Sequence, residues 1–355
     1  MKTIGRKRFT GRTYILTALF GAVVLFAGWN AVNDQVETGA YPLVYPANFG
    51  NRTFIPEDNP TTKEGVYLGR LLFYEGRLSA DNQVSCGSCH QQSKAFTDGK
   101  ALSEGVNKGI TDRNSMSLVN LLWNKKLFWD GRAEGLEKQA EFPLAHPREM
   151  GQSLEVSAKK LNADPNYRNL FKLVFGDDRI SGERIVKAIA QFERTLISAD
   201  SKYDRYLKQE YQPDAEELKG IILFDKHCDR CHGGPKTYRE LFHNNGLDSL
   251  SADQGMATFT GLDTDRGRFK VPTLRNIELT GPYMHDGRIK TLEEVMDHYS
   301  DNIKNSPALS GFLQNNLNLL PQEKSELIAF LKMLTDTAFI NNPKFADPGQ
   351  QHVPK

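Results

Sequence analysis

The sequence predicts a mainly α-helical protein in which two similar domains follow one another along the chain. Its 355 residues exceed the length that a single hydrophobic core usually serves. Apolar residues recur at helical spacing, whereas the alternation typical of strands is scarce. The pattern Cys-x-x-Cys-His occurs twice, at 86–90 and 228–232, and this repeat indicates a duplicated domain rather than a solenoid.

Composition narrows the class of protein. Hydrophobic residues make up 39% and charged residues 25%, which is typical of a folded globular chain and excludes a disordered tail or a polytopic membrane protein. The 45 Lys and Arg residues against 44 Asp and Glu give a net charge of +1. This balance offers no basic surface for nucleic acid.

Residues 1–33 predict a signal peptide or an N-terminal membrane anchor. Five basic residues come before an uncharged, apolar stretch at 14–29, and no acidic residue precedes Asp34. The stretch is shorter than the roughly 20 apolar residues of a permanent span, and Trp29 disturbs the one candidate cleavage site. The pattern therefore predicts a periplasmic protein and leaves open whether the leader is cleaved or anchors it to the inner membrane.

Helix signals in the first domain, placed at 40–200, begin after a loop rich in Pro and Asn at 40–62. Thr62 can cap a helix that leads towards the first Cys-x-x-Cys-His motif. A later helix is predicted over about 181–198. Its apolar face consists of Ile185, Ile189, Phe192 and Leu196.

The second domain, placed at 201–337, begins with a helix that Asp214 opens and that leads into the second motif. The apolar positions of this helix are Leu218, Ile222 and Leu223. Another helix is predicted where apolar residues recur at 327–334. Residues 338–355 contain three prolines and predict an irregular strap or a loose tail.

All four cysteines belong to the two Cys-x-x-Cys-His motifs. Two thiols at this spacing can bond to the two vinyl groups of a haem, and the adjoining histidine can then bind the iron as its proximal ligand. A thioredoxin-like redox pair, a zinc site or a disulfide framework would each use the cysteines but leave both histidines unexplained. The sequence therefore predicts two cytochrome c-like haem domains in tandem, with two covalently bound haem c groups. Their attachment residues and proximal ligands are Cys86, Cys89, His90, Cys228, Cys231 and His232.

From about residue 45 to about residue 337, the chain resembles the bacterial dihaem cytochrome c peroxidases and the related MauG-type enzymes. The resemblance rests on three long stretches in the same order: PEDNPTTKEGVYLGRLLFYEGRLS, FWDGRAEGLEKQA and GRFKVPTLRNIELTGPYMHDG. It implies that the N-terminal haem reacts with peroxide and that the C-terminal haem passes electrons to it.

The resemblance assigns the catalytic groups around the first haem. Cleavage of a peroxide at iron needs an open coordination position and a group that accepts a proton and then returns it to the departing hydroxide. By resemblance, Glu149 is that carboxylate, Gln139 is its neutral hydrogen-bonding neighbour, and Trp129 relays electrons between the haems. From the residues alone, the simpler interpretations are a solvated loop charge for Glu149 and a core aromatic residue for Trp129.

The sixth coordination position of the first haem departs from the family. In the well-studied dihaem peroxidases a histidine sixteen residues after the proximal one blocks this position. Here that residue is Val106, and no histidine lies between His90 and His146. We therefore expect a five-coordinate first haem, with a high-spin ferric signal in the protein as isolated.

The distal ligand of the second haem separates the two branches of the family. The residues alone leave five candidates: Met284, His285, Met296, His298 and Tyr299. The family's ligand lies fourteen residues after the histidine of the PYMHDG stretch, and this position is Tyr299, as in the MauG branch. The alternative is Met296 as the ligand, with Tyr299 packed on the core. A phenolate would favour ferric and higher states, whereas a thioether raises the haem potential.

The resemblance also implies one calcium ion between the haems. Its protein ligands would be the Asn114 side chain and the main-chain carbonyls of Thr280 and Pro282. All three are oxygen donors, which this hard cation prefers, and waters would complete the shell.

These features allow three functions. The first is a periplasmic dihaem peroxidase that reduces hydrogen peroxide with electrons from a small cytochrome c, a cupredoxin or the quinol chain. The second is a MauG-like enzyme that uses peroxide to oxidise a partner protein or a small molecule. The third is a non-enzymatic electron carrier, which Glu149 and Gln139 disfavour. Because the tryptophans are Trp29, Trp123 and Trp129, the C-terminal domain offers no tryptophan for a surface relay as in MauG.

Overall fold

The structure is a computed structural model that describes residues 36–349. The predicted leader or anchor at 1–33 and the end of the predicted tail, 350–355, lie outside this range. Residues 40–349 belong to one compact unit, so the domain boundary after residue 200 stays a prediction. Within the described range, no helix is both long enough and apolar enough to cross a membrane.

Helices dominate the described chain, as predicted. In the first half they are α1 (Lys63–Phe73), α2 (Cys86–Cys89), α3 (Leu136–Ala145), α4 (Leu154–Asn162), α5 (Pro165–Phe175) and α6 (Gly182–Glu193). In the second half they are α7 (Lys202–Leu207), α8 (Ala215–His227), α9 (Asp229–His232), α10 (Ala257–Thr260), α11 (Leu292–Asp301), α12 (Pro321–Met333) and α13 (Thr337–Ile340). Short 3₁₀ turns lie between them at Ala47–Phe49, Gly76–Leu78, Gln92–Lys94, Val106–Lys108, Leu121–Trp123, Asp263–Asp265, Ile277–Leu279 and Gly311–Leu313.

Two short antiparallel ribbons contain the named strands of residues 36–349. They are β1 (Lys126–Leu127) with β2 (Ala133–Glu134), and β3 (Phe242–His243) with β4 (Phe269–Lys270). The loop between β1 and β2 carries Trp129, whose carbonyl oxygen accepts a hydrogen bond from the Lys270 N–H at 2.7 Å. The two ribbons thereby join the first half of the chain to the second.

The predicted helix starts at Thr62 and Asp214 are confirmed. The Thr62 hydroxyl accepts a hydrogen bond from the Gly65 N–H at 3.0 Å, and the Asp214 carboxylate accepts two main-chain hydrogen bonds at 2.9 Å. These bonds satisfy donors that the first turn of a helix leaves without intrahelical partners. The helix predicted over 181–198 is shorter than expected and ends at Glu193.

In the first half, α1 crosses α6 so closely that the two backbones touch at Gly69. A Cβ atom on Gly69 would overlap the carbonyl oxygen of Ala188. One turn further along, the buried rings of Phe73 and Phe192 pack edge to face, with their centroids 5.2 Å apart. The glycine lets the helices meet, and the aromatic pair fills the space beside the contact.

The second half repeats this arrangement. Helix α8 crosses α12 at Gly220, where a Cβ atom would overlap the carbonyl oxygen of Glu326. The rings of Phe224 and Phe330 lie 4.6 Å apart, again one turn beyond the contact. The duplication that the cysteine pattern predicted is therefore also a duplication of helix packing.

The apolar positions that marked α8 in the sequence are not all buried. Leu218 and Ile222 are 39% and 60% exposed, whereas Ile221 and Phe224 are buried. The buried face follows the crossing at Gly220, and a glycine contributes almost nothing to a hydropathy pattern. The periodicity therefore located the helix without identifying the face that packs.

The chain after α12 packs against residues of the first half. The Tyr74 hydroxyl donates a hydrogen bond to the carbonyl oxygen of Phe345 at 2.7 Å. The rings of Phe96 and Phe339 pack with their centroids 5.6 Å apart. The described part of the predicted tail, 338–349, thus lies across the first half as a strap.

Gly220→Ala tests the helix crossing. The added methyl group must push α8 and α12 apart, and overpacking of this kind lowers the free energy of unfolding by about 1–3 kcal/mol. Denaturant unfolding of the haem-loaded protein measures the change. Gly311→Ala is the matched control, because a Cβ atom there meets open space and should change the stability by about 0.5 kcal/mol or less. Equal stability of the two variants would contradict the close crossing.

Candidate active site

The first Cys-x-x-Cys-His motif forms α2 and the residue that follows it. This single turn carries Cys86 and Cys89. The Nδ1 atom of His90 lies 2.8 Å from the carbonyl oxygen of Phe96, and burial lowers the pKa of His90. A neutral ring held by the main chain through Nδ1 leaves Nε2 free to bind iron.

The second motif repeats this geometry at the end of α8 and in α9. The Nδ1 atom of His232 lies 3.1 Å from the carbonyl oxygen of Pro272, and burial lowers the pKa of His232 to about 4. All four cysteines are free thiols. Free thiols beside a neutral imidazole are the donor set that covalently bound haem requires, so both motifs fit haem c.

A cavity lies against each motif. The cavity at the second motif, called here the second cavity, has a volume of about 400 Å³ and a mostly apolar wall from α8, α11 and α12. The cavity at the first motif, called the first cavity, is narrower, about 60 Å³. The two cysteines and the histidine of each motif line the corresponding cavity. The second cavity, a concave and mostly apolar space with few polar groups, is typical of a cofactor site.

Glu149 and Gln139 line the first cavity together with His90. The Glu149 side chain is 31% exposed, and its carboxylate lies 3.5 Å from the Nδ1 atom of His146. Burial raises the pKa of Glu149, which suits a group that accepts and returns a proton. The structure thus brings both residues to the cavity of the first motif, with the Glu149 side chain half-buried.

The loop after the first motif fixes the main chain of Glu149. The Val106 N–H donates to the Glu149 carbonyl oxygen at 2.8 Å. A Cβ atom on Gly105 would overlap the main chain of Arg148 and Glu149. Val106 is buried, and its side chain lies outside the wall of the first cavity. Position 106 therefore holds Glu149 in place and does not present a ligand to the cavity.

Trp129 lies between the two halves of the chain. Its indole N–H donates to the Asn114 carbonyl oxygen at 2.9 Å, and its own carbonyl accepts the Lys270 N–H. The half-buried ring lines the second cavity. Trp123, by contrast, packs with Phe49 in a core cluster. Trp129 is thus a cavity residue, whereas Trp123 is a packing residue.

Four of the five candidates for the distal ligand of the second haem line the second cavity. The Nε2 atom of His298 lies 3.1 Å from the carbonyl oxygen of Asn245, and this histidine is outside the cavity wall. The candidates that line the wall are Met284, His285, Met296 and Tyr299. Tyr299 is half-buried, and its hydroxyl has a long contact of 3.5 Å with the Asn245 amide. Partial burial raises the pKa of Tyr299 to about 12.

The three predicted calcium ligands all line the second cavity: Asn114, Thr280 and Pro282. The Asn114 amide donates to the Lys100 carbonyl oxygen at 2.9 Å. Among residues 36–349, no group of three His, Cys, Asp or Glu side chains is placed to hold a metal ion. A cation between the haems would therefore depend on amide and main-chain oxygens, and the calcium site stays a prediction.

Glu193 is a cavity residue that the sequence analysis missed. It lies in the wall of the first cavity one helical turn after Ile189. It is 4% exposed, and its Oε2 atom has no hydrogen-bond partner. Burial raises the pKa of Glu193 to about 8, so the carboxyl holds a proton at neutral pH. The signal was available in the sequence, because Glu193 is a charged residue on the apolar face of α6.

Comparison with known proteins finds similar sequences over most of the chain. The family described as di-haem cytochrome c peroxidase matches residues 63–212. The cytochrome c551 peroxidase of Nitrosomonas europaea is 35% identical over 327 residues, which are 90% of each chain. The methylamine utilization protein MauG of Methylorubrum extorquens is 36% identical over 285 residues, which are 79% of this chain and 80% of MauG.

A solved structure shares the fold over both halves. It is that of a MauG-like protein associated with microbial copper homeostasis, with a TM-score of 0.82 and 37% sequence identity. The similarity covers 87% of this chain and 100% of that chain. The mainly α-helical fold with two cytochrome c-like haem domains in tandem, predicted from the sequence, is confirmed.

Tyr299→Phe tests the distal ligand of the second haem. If the phenolate binds the iron, its removal changes the low-spin ferric spectrum, because one of the two axial ligands is lost. Electron paramagnetic resonance and visible spectra of the ferric protein measure this change. Met296→Leu is the matched control, since it removes the competing thioether from the same helix and should leave the spectrum as it is. A changed spectrum in Met296→Leu alone would assign the thioether instead.

Proposed function

The chain belongs to the di-haem cytochrome c peroxidase family, and on that premise we propose that it reduces hydrogen peroxide to water at the first motif. The family consists of peroxidase oxidoreductases, so the chain is an enzyme with two covalently bound haem c groups. The observation that carries the proposal is the first cavity. There, His90 and the carboxyl of Glu149, whose pKa is raised, line the same space.

Glu149 performs the proton transfer in this proposal. Bound haem supplies the iron that takes up the peroxide and the electrons that reduce it. The Glu149 carboxylate accepts a proton from the incoming peroxide and returns it to the departing oxygen, which leaves as water. Burial stabilises the neutral carboxyl, whereas the charge of Arg132, and of His146 at 3.5 Å when its ring is protonated, stabilises the carboxylate. These opposed effects let Glu149 exchange the proton in both directions.

Neighbouring residues hold Glu149 in position and limit the negative charge in the first cavity. The Val106 N–H holds the Glu149 carbonyl at 2.8 Å. Gln139, on α3, supplies a neutral amide that can donate to the peroxide without adding charge. Because burial raises the pKa of Glu193 to about 8, this second carboxyl is neutral at pH 7. The cavity therefore contains one exchanging acid rather than two anions.

Electrons would reach the first haem from the second by way of Trp129. The indole N–H of Trp129 donates to the Asn114 carbonyl oxygen at 2.9 Å, and the main-chain carbonyl of Trp129 accepts the Lys270 N–H at 2.7 Å. These two partners belong to different halves of the chain. We propose a small periplasmic cytochrome c or a cupredoxin, or the quinol chain, as the external donor. The export signal predicted for residues 1–33 supports a periplasmic location.

A MauG-like oxidation is the second candidate, and Tyr299 is the observation that favours it. Tyr299 is half-buried and lines the second cavity, where a phenolate ligand would favour ferric and higher states. Such a haem suits an enzyme that stores oxidising equivalents for a partner protein or a small molecule. The methylamine utilization protein MauG of Methylorubrum extorquens is 36% identical to this chain in sequence. A pure electron carrier, by contrast, would have no use for the carboxyl of Glu149.

Glu149→Gln removes the proton acceptor and keeps the shape of the side chain. We expect the second-order rate of reaction with hydrogen peroxide to fall about 10²-fold or more, which is typical of a lost general acid–base group. Stopped-flow spectroscopy measures this rate in the protein with both haems bound. Glu155→Gln changes an exposed carboxyl at the start of α4 and should stay within a few-fold of the wild type. A similarly small effect of Glu149→Gln would contradict the assignment.

The pH profile of the same reaction gives a further readout of Glu149. The base form is lost as the pH falls through its pKa, and burial raises that pKa. The rate of the wild type should therefore begin to fall at a pH above the ordinary glutamate value of about 4.3. This acid limb should be missing from Glu149→Gln and present in Glu155→Gln.

The rate at which electron donors reduce the peroxide-oxidised protein distinguishes a peroxidase from a MauG-like enzyme. The purified dihaem protein is mixed with hydrogen peroxide, its spectrum is followed, and a reduced cytochrome c or cupredoxin is then added. Rapid turnover with either donor supports the peroxidase. A long-lived oxidised state that these donors discharge slowly supports the MauG-like enzyme. The absence of any spectral response to peroxide would contradict both proposals.

A further inference from the structure

Lys270 ends β4 with a buried ammonium group. The residue is 5% exposed, and its Nζ atom has no hydrogen-bond partner among the described residues. The rings of Tyr238 and Phe242 each lie 5.8 Å from Nζ. At that distance, near the limit of about 6 Å for a cation–π contact, the rings attract the cation only weakly.

Burying an ammonium group without a paired anion costs free energy, so the anion that balances the charge of Lys270 has to be identified. Glu240 acts on Lys270 only as a neighbouring charge. The Oε1 atom of Glu240 already accepts hydrogen bonds from the main-chain N–H groups of Lys125 and Lys126 at 2.7 and 2.5 Å. Burial lowers the pKa of Lys270 to about 8, the direction expected of a cation that no anion compensates. The described polypeptide therefore holds this cation without pairing it.

The missing anion has to fit the second cavity, because Lys270 is part of its wall. Cys228, Cys231 and His232 line the same wall, which is otherwise mostly apolar. A small inorganic anion would occupy only the corner next to the ammonium group. A large apolar ring system with a carboxylate at its edge matches both the wall and the cation, and haem has this chemistry through its propionates.

We propose that Lys270 binds a propionate carboxylate of the haem attached at Cys228 and Cys231. The Lys270 N–H also donates to the Trp129 carbonyl oxygen at 2.7 Å, so one residue connects the edge of the second haem with the predicted electron relay. A positive charge beside a haem stabilises its reduced form. Lys270 thus raises the potential of a haem whose Tyr299 ligand would lower it. The proposal requires bound haem c and does not depend on which substrate is oxidised.

Lys270→Met in the dihaem protein removes the cation and keeps much of the side-chain length. We expect the resonance Raman band of the propionate bending mode to shift. At a fixed potential, the ratio of reduced to oxidised second haem should fall about tenfold, because the positive charge that stabilised the reduced haem is removed. Lys270→Arg keeps the charge and should retain both values. Lys226→Met removes an exposed lysine at the same cavity, and the ratio should change by about twofold or less.

Two results would overturn the proposal. The first is an unchanged propionate band and an unchanged redox ratio in Lys270→Met. The second is a band that responds to added acetate or chloride in the wild type but not in Lys270→Met, because a free anion would then occupy the site.

A crystal structure of the wild-type protein with both haems decides the same question if Lys270→Met fails to retain them. A distance of about 2.7–2.9 Å between Nζ and a propionate oxygen supports the proposal. Propionates that point away from Lys270 overturn it. Peroxide turnover is not measured in these experiments, so their failure is distinguishable from a failure of the proposed peroxidase function.

Discussion

The contact between two helix backbones in each half of the chain is the constraint on which the rest of the structure depends. Gly69 and Gly220 allow the crossing helices to touch, and any side chain there would separate them. Helix α8 runs directly into the second motif, so its crossing with α12 fixes where Cys228 lies. In the first half, Gly87 packs against the ring of Tyr74 at the end of α1. The position of each haem site therefore follows from a glycine that carries no chemistry of its own.

Some buried polar groups have a hydrogen-bond or ion-pair partner within the polypeptide, and others have none among the described residues. Arg275 and Asp204 form a fully buried ion pair away from the cavity walls, and such pairs are costly to break. Within residues 36–349, eight buried side-chain polar atoms have no partner. Four of them belong to residues that line the two cavities: Asn124, Glu193, His243 and Lys270. Since folded proteins pair nearly all their buried polar groups, this concentration marks surfaces that contact something other than polypeptide.

The two proposed functions share the first cavity and differ in the second. Glu149 provides proton transfer in either function, because both begin with the cleavage of peroxide. In these proposals Tyr299 and Lys270 would act on the second haem in opposite directions, since a phenolate favours the oxidised iron and an ammonium group favours the reduced iron. On that basis, the balance of these two charges would set whether electrons flow inward from a donor or oxidising equivalents flow outward to a substrate.

The sequence alone determined the cofactor, the duplication and the helical class. Covalent attachment of haem requires two thiols and a histidine at one fixed spacing, which leaves a local pattern in the chain. The caps at Thr62 and Asp214 are local for the same reason, because each acts on main-chain groups of the next turn. The family resemblance added Glu149, which the structure brings to the first cavity.

Only the tertiary structure decided which charges are buried without partners and which candidate ligands reach a cavity. Lys270 looks like an ordinary surface charge in the sequence, because its burial depends on segments far away in the chain. His298 fits the sequence pattern of a ligand, but its ring binds the carbonyl of Asn245 and lies outside the second cavity. The burial of a side chain and the direction in which it points result from packing between residues that are distant in the sequence. A local sequence pattern contains no information about either property.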